Sequence, residues 1–408
     1  MAGIKISRRD KCRVCGSGEL FKWVHLPQMP LTDDLRQPGS GDEFLHDIDV
    51  YQCCDCHTSQ LLHDMDYSSY YVDYNYTVAG SPFVTTFTNM LAQSLFDQYC
   101  LARGSNVIEI GSGDGAQLLC FKDRGANVFG YEPSAPLCRL SESIGVPVHQ
   151  GLFTESSIEN IPEKYMPADV LLLTYTFDHI PEPIKFLDAA KKILNPETGL
   201  LVMEVHDLDK IMERREYCLF EHEHSIYLSG KTMQAVLKKA GFCLISTNLL
   251  PEADRRGNSL LIVAALEGST YANNPSPLFE EESVGDDSIY QAFNEEMHKS
   301  IMQLDSFIEM QLAAGRVVAG YGAGGRGVMT LAAMDSARKL KYLCDQNPAF
   351  HGCVTPKTHV PIVPPSTLEE DPVDVLLVFS FGYINEIKMQ VSALDNAPSQ
   401  VVSMLEIL

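Results

Sequence analysis

The 408-residue sequence contains no run of 18 apolar residues, so no segment has the length and hydrophobicity of a membrane-spanning helix. Its first residues, MAGIKISRRDKC, include basic side chains but lack the apolar stretch that a secretory signal would place behind them. No sequence repeat of short fixed period is present either. We therefore expect a cytoplasmic protein that makes no contact with a membrane.

Positive charge is in deficit: the chain has 31 Lys and Arg residues but 54 Asp and Glu residues, so its net charge is −23 at pH 7. Nucleic-acid binding depends on an excess of Lys and Arg, so no nucleic-acid partner is expected. A locally basic pocket for a small phosphorylated ligand is still compatible with this composition. The length favours two or three domains, and the oligomeric state is left open.

The twelve cysteines are expected to be reduced, because the chain is long and shows no export signal. Four of them form two C-x-x-C pairs, Cys12 with Cys15 and Cys53 with Cys56. Each pair can offer two thiolates to one tetrahedral ion, which predicts structural zinc, although the pairs lie further apart than in common zinc ribbons. The alternative, four buried thiols, is disfavoured because so short a segment has few large apolar residues. Cys54 is expected to point away from the metal.

The apolar pattern divides the chain into a zinc-binding domain (1–75), a domain of alternating strands and helices (76–266), an acidic linker (267–288) and a second alternating domain (289–408). In the first alternating domain, NVIEI, NVFGYE, DVLLLTY, GLLVMEV and SLLIVAAL are typical of buried parallel strands. Apolar residues at helical spacing open the last domain: Ile289, Phe293, Met297, Ile301, Leu304, Ile308 and Leu312. The predicted fold class is α/β, a doubly wound Rossmann-like sheet followed by a second, smaller Rossmann-like domain.

A hydrophobic strand ends in the glycine-rich turn GSGDG (111–115), and the next strand ends in an acid about 20 residues later, as in nucleotide-binding α/β units. NAD is the rival ligand, but Glu109 precedes the turn and Asp114 lies within it, where it would repel a pyrophosphate. A cationic sulfonium with a free amino group tolerates that acid. The turn resembles the first motif of class I methyltransferases, which implies S-adenosylmethionine as the cofactor. The expected cofactor-binding residues are Glu109, Gly111, Gly113, Asp114, Glu132 and Phe153.

The order of the domains resembles the sugar C-methyltransferases over nearly the whole chain. Tyr74-Asn-Tyr76, the FDHIP turn at 177–181, the HEH segment at 222–224 and VVAGYGAGGRG (317–327) resemble motifs of that family. The resemblance implies methylation of a nucleotide-linked 4-keto-deoxyhexose at carbon 3.

Methylation at carbon requires a carbanion, which a neighbouring ketone provides by enolisation. This step needs a base with a pKa near the working pH, a natural role of histidine, and a donor that stabilises the enolate. By the resemblance His224 is the base, Glu223 orients it or holds a sugar hydroxyl, and Tyr76 and His179 contact the enolate side. Plain packing is the alternative for Tyr76, and His222 is more simply a satisfied histidine. The i, i+2 histidines of HEH are not the i, i+4 pair of zinc peptidases, so no metal is expected there.

Several positions depart from the family pattern where acceptor contacts are expected. Glu221 stands in place of Tyr, Tyr175 in place of Asn, and Phe381-Gly382 in place of Trp-Asn, while Thr77-Val78-Ala79 replaces serines after Tyr76. The acceptor side is therefore open to alternatives: a keto acid, or a carbonyl or hydroxyl group of a natural product. A non-catalytic module that binds zinc and S-adenosylmethionine is a further alternative.

The turn GYGAGGRG (320–327) follows a strand and opens a helix, a pattern typical of phosphate binding at a helix N-terminus. Close packing of helix on strand explains such a turn equally well. By the resemblance this domain binds the nucleotide end of the acceptor, with Arg326 in place of a Lys. The expected acceptor is a small molecule, an NDP-sugar, and its expected contacts are Tyr74, Tyr175, Glu221, His222, Tyr321, Arg326 and Asp345.

Overall fold

The computed structural model describes residues 4–66, 71, 77, 82–272, 279 and 287–408. Tyr74, Tyr76 and most of the expected linker lie outside these ranges. Within the described ranges, no helix combines the length and the apolar character needed to cross a bilayer.

The elements follow the chain in three groups. The N-terminal strands are β1 (Ile6–Arg8), β2 (Leu20–Met29), β3 (His46–Cys53), β4 (Ser59–Leu61) and β5 (His63–Met65). The central elements are α1 (Pro82–Tyr99), β6 (Asn106–Ile110), α2 (Ala116–Asp123), β7 (Asn127–Glu132), α3 (Ala135–Ser143), β8 (Val148–Gln150), β9 (Val170–Thr174), α4 (Pro183–Ile193), β10 (Leu200–His206), α5 (Leu208–Arg214), β11 (Ile226–Tyr227), α6 (Gly230–Lys239), β12 (Phe242–Ser246) and β13 (Ser259–Leu266). The C-terminal elements are α7 (Asp287–Ala313), β14 (Val318–Tyr321), α8 (Gly325–Ala333), β15 (Leu343–Cys344), β16 (Ile362–Val363), α9 (Thr367–Glu370), β17 (Val375–Val378), α10 (Ile384–Ser392) and β18 (Gln400–Ser403).

The central sheet has seven strands in the order β12-β13-β10-β9-β6-β7-β8. Neighbouring strands are parallel except β13, which is antiparallel to both β10 and β12. The sequence prediction of a parallel strand at Ser259–Leu266 is therefore wrong in direction. No α-helix separates β12 from β13, so the chain returns beside β12 as an antiparallel neighbour, whereas a parallel return needs a crossover.

Successive residues of the central strands alternate between two buried faces. In β9, Val170 and Leu172 pack with α1 and α2, whereas Leu171 and Leu173 pack with α4 and α6. A strand buried on both faces must be apolar throughout, which is why the sequence marks these strands. The helices on both faces confirm the doubly wound fold class.

The C-terminal sheet has five parallel strands in the order β16-β15-β14-β17-β18, which confirms a second Rossmann-like domain. The predicted amphipathic helix is α7. Its residues Met297, Leu304 and Ile308 are fully buried, whereas Ile289, at its first turn, is 58% exposed.

The N-terminal unit is continuous with the other two parts. Its four-stranded sheet has the order β11-β4-β3-β2, so one strand comes from the central part. A single apolar core contains Trp23 of β2, Phe220 of the central part, Met297 of α7 and Leu343 of β15. The three parts therefore meet along shared apolar contacts, and the domain boundaries at 75, 266 and 288 stay predictions.

Candidate functional site

The four cysteines of the two C-x-x-C pairs converge in the N-terminal unit. All four sulfurs lie within 4.8 Å of one another. Sγ of Cys12 lies 3.5 Å from Sγ of Cys56, and Sγ of Cys15 lies 3.4 Å from Sγ of Cys53. Four Zn–S bonds of about 2.3 Å require sulfur–sulfur distances of about 3.8 Å, so the donor set fits a structural zinc ion. Cys54 is exposed and does not belong to the cluster.

The glycine-rich turn after β6 lies at the carboxyl edge of the central sheet. Gly111, Gly113 and Gly115 all have positive φ angles, which glycine adopts without steric cost. A Cβ atom on Gly111 would lie 2.5 Å from Oγ1 of Thr176, whereas nothing lies within 4 Å of such an atom on Gly113. One part of the turn is therefore tightly packed, and the other is open for the approach of a nucleoside.

Glu109 lies on β6 just before this turn and is 2% exposed. Gln117 Nε2 donates a hydrogen bond of 2.5 Å to its Oε1, while its Oε2 is buried with no hydrogen-bond partner among the described residues. Burial raises the pKa of Glu109 to about 8, and the charges of Asp114 and Glu132 add to the effect. A buried carboxylate oxygen without a partner is costly, so this site fits the cationic groups of S-adenosylmethionine and does not fit a pyrophosphate.

The other expected cofactor residues surround the same turn or support it. Glu132 accepts backbone N–H hydrogen bonds from Gly113 at 2.9 Å and from Ser134 at 2.8 Å, so it lies beside the turn where a ribose is expected. Asp114 accepts a backbone N–H of the first turn of α2 at 3.1 Å. Phe153 is buried in the core, edge-on against a tyrosine ring.

Three imidazole rings gather at the carboxyl ends of β9 and β10, beside the glycine turn. The ring centres of His179 and His206 each lie 4.8 Å from the ring centre of His224. Tyr175 packs on His206 with 4.4 Å between ring centres. The next residue, Thr176, is the one that packs against the glycine turn. The imidazoles therefore border the expected cofactor site.

Hydrogen bonds define the proton positions on two of these rings. His224 Nδ1 lies 3.1 Å from the carbonyl oxygen of Leu219. Because a carbonyl only accepts, Nδ1 donates, and Nε2 keeps the lone pair in the neutral ring. His206 Nδ1 lies 2.9 Å from Oδ2 of Asp178, so Nε2 of His206 also keeps its lone pair.

The electrostatic environment supports these assignments. Burial alone would raise the pKa of Asp178, but the hydrogen bond from His206 and the nearby imidazoles hold that pKa below its ordinary value. Burial lowers the pKa of His206 to about 4 and that of His179 to about 3. At neutral pH Asp178 is therefore a carboxylate, and both imidazoles are neutral.

Sequence reasoning did not identify His206, Asp178 or Arg256. His206 ends a buried parallel strand, and a polar residue at that edge is a signal that could have been used. Arg256 forms an ion pair with Glu204 and lies 4.4 Å from the ring centre of Tyr175. Its position depends on the antiparallel return into β13, so the predicted parallel sheet could not place it here.

The loop before β11 brings two acids to the same region. Glu223 is buried, and its Oε1 accepts a hydrogen bond of 3.1 Å from Oγ1 of Thr32. Oε2 of Glu221 lies 3.7 Å from Nε2 of His224. Burial raises the pKa of Glu221 well above its ordinary value, and the carboxylates of Glu223 and Asp33 add to this. The raised pKa favours the protonated form of Glu221, and in that form the carboxyl group can donate a hydrogen bond.

The glycine turn of the C-terminal domain faces this region too. A Cβ atom on Gly325 would lie 3.7 Å from Oε1 of Glu221, and the positive charge of Arg326 acts to lower the pKa of Glu221. Asp345 accepts a hydrogen bond of 2.7 Å from a backbone N–H of the turn. Tyr321 is 4% exposed and packs in the core of its domain. Of the expected acceptor contacts in the C-terminal domain, Arg326 is therefore the one whose charge acts on Glu221 and on His206.

His222 is placed apart from the imidazole group. Its Nδ1 lies 3.1 Å from Nε2 of His63, and its Nε2 lies 3.0 Å from the carbonyl oxygen of Met29. The side chain of His222 therefore faces the N-terminal unit, away from His224.

Tyr74 and Tyr76, expected to cover the acceptor, lie outside the described residues. The nearby Tyr71 is described, and its hydroxyl lies 3.0 Å from Nδ1 of His179. At Tyr71 the end of the predicted zinc-binding domain reaches the imidazole group.

Comparison with known proteins gives three family models in consecutive parts of the chain. They are a zinc binding domain at residues 12–71, a methyltransferase domain at 88–247 and a C-methyltransferase C-terminal domain at 256–405. The C-methyltransferase NovU of Streptomyces niveus is 26% identical over 386 residues, which cover 93% of this chain and 91% of that protein.

Two similar solved structures each cover less than half of this chain. The plantazolicin methyltransferase BpumL in complex with SAH is 14% identical, with a TM-score of 0.36, over 45% of this chain and 84% of that chain. An S-adenosylmethionine-dependent methyltransferase from Clostridium acetobutylicum ATCC 824 is 12% identical, with a TM-score of 0.36, over 46% of this chain and 93% of that chain. Similarity this low gives no information on the acceptor.

Proposed function

We propose that this chain, an S-adenosylmethionine-dependent C-methyltransferase with a structural zinc site, methylates the carbon next to a ketone in a nucleotide-linked keto-deoxysugar. The similarity to NovU supports methylation at carbon. The acceptor class rests on the resemblance to the sugar C-methyltransferases and on the second glycine turn, which faces the imidazole group.

The observation that carries the proposal is the state of His224. Its Nδ1–H is committed to the carbonyl oxygen of Leu219 at 3.1 Å, so the lone pair of Nε2 is free to accept a proton. The ring lies between those of His179 and His206, beside the turn that receives the cofactor. A positioned imidazole of this kind can remove the proton next to a ketone.

Enolisation also needs donors for the developing oxyanion. Burial, with the charge of Glu204 nearby, raises the pKa of Tyr175 well above its ordinary value, so its hydroxyl stays protonated and can donate. In its protonated form, which burial favours, Glu221 is a second donor, with Oε2 3.7 Å from Nε2 of His224. S-adenosylmethionine, when bound, supplies an electrophilic methyl group to the enolate carbon.

The nucleotide end of the acceptor is assigned to the C-terminal domain. Arg326 lies in the first turn of α8, and both its guanidinium and the backbone N–H groups of that turn suit a diphosphate. In this proposal the sugar lies between α8 and the imidazoles.

The experiment measures proton exchange without methyl transfer. The protein is incubated in D₂O with nucleotide-diphosphate 4-keto-deoxyhexoses, and deuterium at the carbon next to the ketone is followed by mass spectrometry. We expect exchange above the enzyme-free rate, and His224→Ala should slow it by about 100-fold or more while S-adenosylmethionine affinity is kept. His298→Ala, an exposed histidine on α7, is the matched control.

Two results contradict the proposal. Unchanged exchange in His224→Ala, together with loss of exchange in His206→Ala, would assign the base to the Asp178–His206 pair. A product that carries the new methyl group on oxygen, as identified by NMR, would also contradict it.

A further inference from the structure

A second group of three histidines lies in the N-terminal unit, apart from both the cysteines and the expected acceptor site. One nitrogen from each of His46, His63 and His222 lies within 4.8 Å of the other two. His63 and His222 are buried, and His46, at the start of β3, is half-buried. The expected role of His222 as an acceptor contact does not account for this arrangement.

The outer nitrogens of two rings are already hydrogen-bonded to backbone carbonyls. His222 Nε2 lies 3.0 Å from the carbonyl oxygen of Met29, and His46 Nδ1 lies 2.9 Å from that of Asp47. Carbonyls only accept, so these two nitrogens carry the protons. His222 Nδ1 then accepts a hydrogen bond of 3.1 Å from His63 Nε2, and a bound metal ion would replace that hydrogen. Metal-binding histidines show this same pattern, in which the non-ligating N–H donates to a carbonyl or carboxylate.

The distances between the inner nitrogens are close to what an ion requires. Zinc–nitrogen bonds of about 2.0–2.1 Å in a tetrahedral site imply about 3.3 Å between ligand nitrogens. His63 Nε2 and His222 Nδ1 are 3.1 Å apart. The ring of His46 packs on both of the others, with 5.1 Å between its centre and that of His63 and 6.0 Å to that of His222.

The charges around the group permit a divalent ion. The guanidinium of Arg13 is close to His63 but forms an ion pair with Asp64 at 2.5 Å, and Asp49 also acts on His63. The acids Asp64 and Asp49 thus offset the positive charge of Arg13 beside the group.

We propose that His46, His63 and His222 bind a second divalent transition-metal ion, zinc in the first instance, with the fourth position open to solvent beside His46. Three neutral imidazoles suit zinc better than magnesium or calcium, which prefer oxygen ligands. The ion would join β3 and the start of β5 to the loop that carries Glu223 and His224. This metal site does not depend on which acceptor the chain methylates.

The test is the metal content of the purified full chain. After incubation with excess Zn²⁺ and desalting, mass spectrometry of the metal should give two equivalents per chain for the wild type. His46→Ala should retain one equivalent, and His298→Ala should retain two. His46 is half-buried, so its replacement leaves the core intact, and circular dichroism checks this.

Cobalt provides a readout that needs no variant. When Co²⁺ is added to the metal-free chain, the four-thiolate site gives an intense sulfur-to-metal charge-transfer band. The histidine site should add a second set of weaker visible bands without charge transfer, and these should be missing in His46→Ala. A single equivalent of zinc in the wild type, two equivalents in His46→Ala, or loss of the second ion in His298→Ala would each overturn the proposal.

Discussion

Replacement of Glu109 by Gln should stabilise the cofactor-free protein and weaken its affinity for the cofactor. The carboxyl group is 2% exposed, and one of its oxygens has no hydrogen-bond partner among the described residues. Gln has the same shape and can still accept the hydrogen bond of Gln117, but it cannot ionise. The variant therefore isolates the free energy of a buried charge.

The magnitude follows from the pKa of Glu109, which burial raises from 4.5 to about 8. A raised pKa in the folded state means that the stabilisation of the protonated form is fully present below pH 4.5 and is lost as pH rises through about 8. One pKa unit corresponds to about 1.4 kcal/mol, so the loss reaches up to about 5 kcal/mol. Glu109→Gln should unfold at higher denaturant concentration than the wild type at pH 8.5, and at nearly the same concentration at pH 5.

Cofactor binding should show the opposite effect, because the cationic groups of the ligand favour the carboxylate. Between pH 6 and 8 the wild type should bind S-adenosylmethionine about tenfold more tightly for each pH unit and release about one proton at the lower end of that range. Isothermal titration calorimetry in buffers of different ionisation heat counts this proton. Glu109→Gln should bind more weakly and release none, whereas the exposed Glu163→Gln should match the wild type.

The reasoning fails if wild-type affinity is independent of pH with no proton released. It fails equally if Glu109→Gln is less stable than the wild type at pH 8.5, since the buried carboxylate would then be satisfied in the cofactor-free protein.

Three further predictions concern the zinc ion, the glycine turn and the histidine pair. Cys15→Ser should lose one equivalent of zinc and at least about 3 kcal/mol of stability, which lowers the Tm by roughly 5 °C or more. The exposed Cys54→Ser should keep the zinc and the stability of the wild type. Metal analysis and calorimetry measure the two quantities. Gly111→Ala should lower the free energy of unfolding by about 1–3 kcal/mol and weaken cofactor binding at least about tenfold. The reason is that the new Cβ would lie 2.5 Å from the hydroxyl of Thr176, at a residue with a positive φ angle. Thr176→Ala in the same chain should restore part of the stability, measured by denaturation, and part of the affinity, measured by calorimetry. Asp178→Asn should lower turnover less than His224→Ala does, with cofactor affinity unchanged in a binding titration, because Asp178 is hydrogen-bonded to His206 and not to the proposed base. A loss as large as that in His224→Ala would instead assign the base to the Asp178–His206 pair.

The sequence predicted the parts of the fold in which local pattern and burial coincide. Strands β6, β7, β9 and β10 are buried on both faces, and the glycine turn must lie at the carboxyl end of the strand that precedes it. The direction of β13 was mispredicted, because an apolar run looks the same in either direction and only the missing helix before it distinguishes them. The core shared by Trp23 and Phe293 could not be found either, since no local signal connects residues of different domains.

The candidate site was predicted in part for a similar reason. Motif residues such as His224 and Glu109 could be named from their sequence context. His206 and Asp178 acquire their relation only when β9 and β10 lie side by side and Nδ1 of His206 comes within 2.9 Å of the carboxylate. The proton position on His206 follows from its hydrogen bond to Asp178, which lies 28 residues away in the chain. A sequence pattern does not specify such a bond.

The position of the zinc site has a consequence for the imidazole group. Two of the cysteines, Cys53 and Cys56, flank the turn between β3 and β4, so the ion holds the start of β4. Strand β4 pairs with β11, and the backbone N–H of Leu61 donates to the carbonyl oxygen of Ser225 at 3.1 Å. Ser225 directly follows His224, so this pairing anchors the loop that carries His224 on the side of the cysteine cluster, while the carbonyl oxygen of Leu219 anchors it at Nδ1 of His224. An ion bound by these cysteines would therefore support the loop that carries His224, and with it the proposed acceptor site.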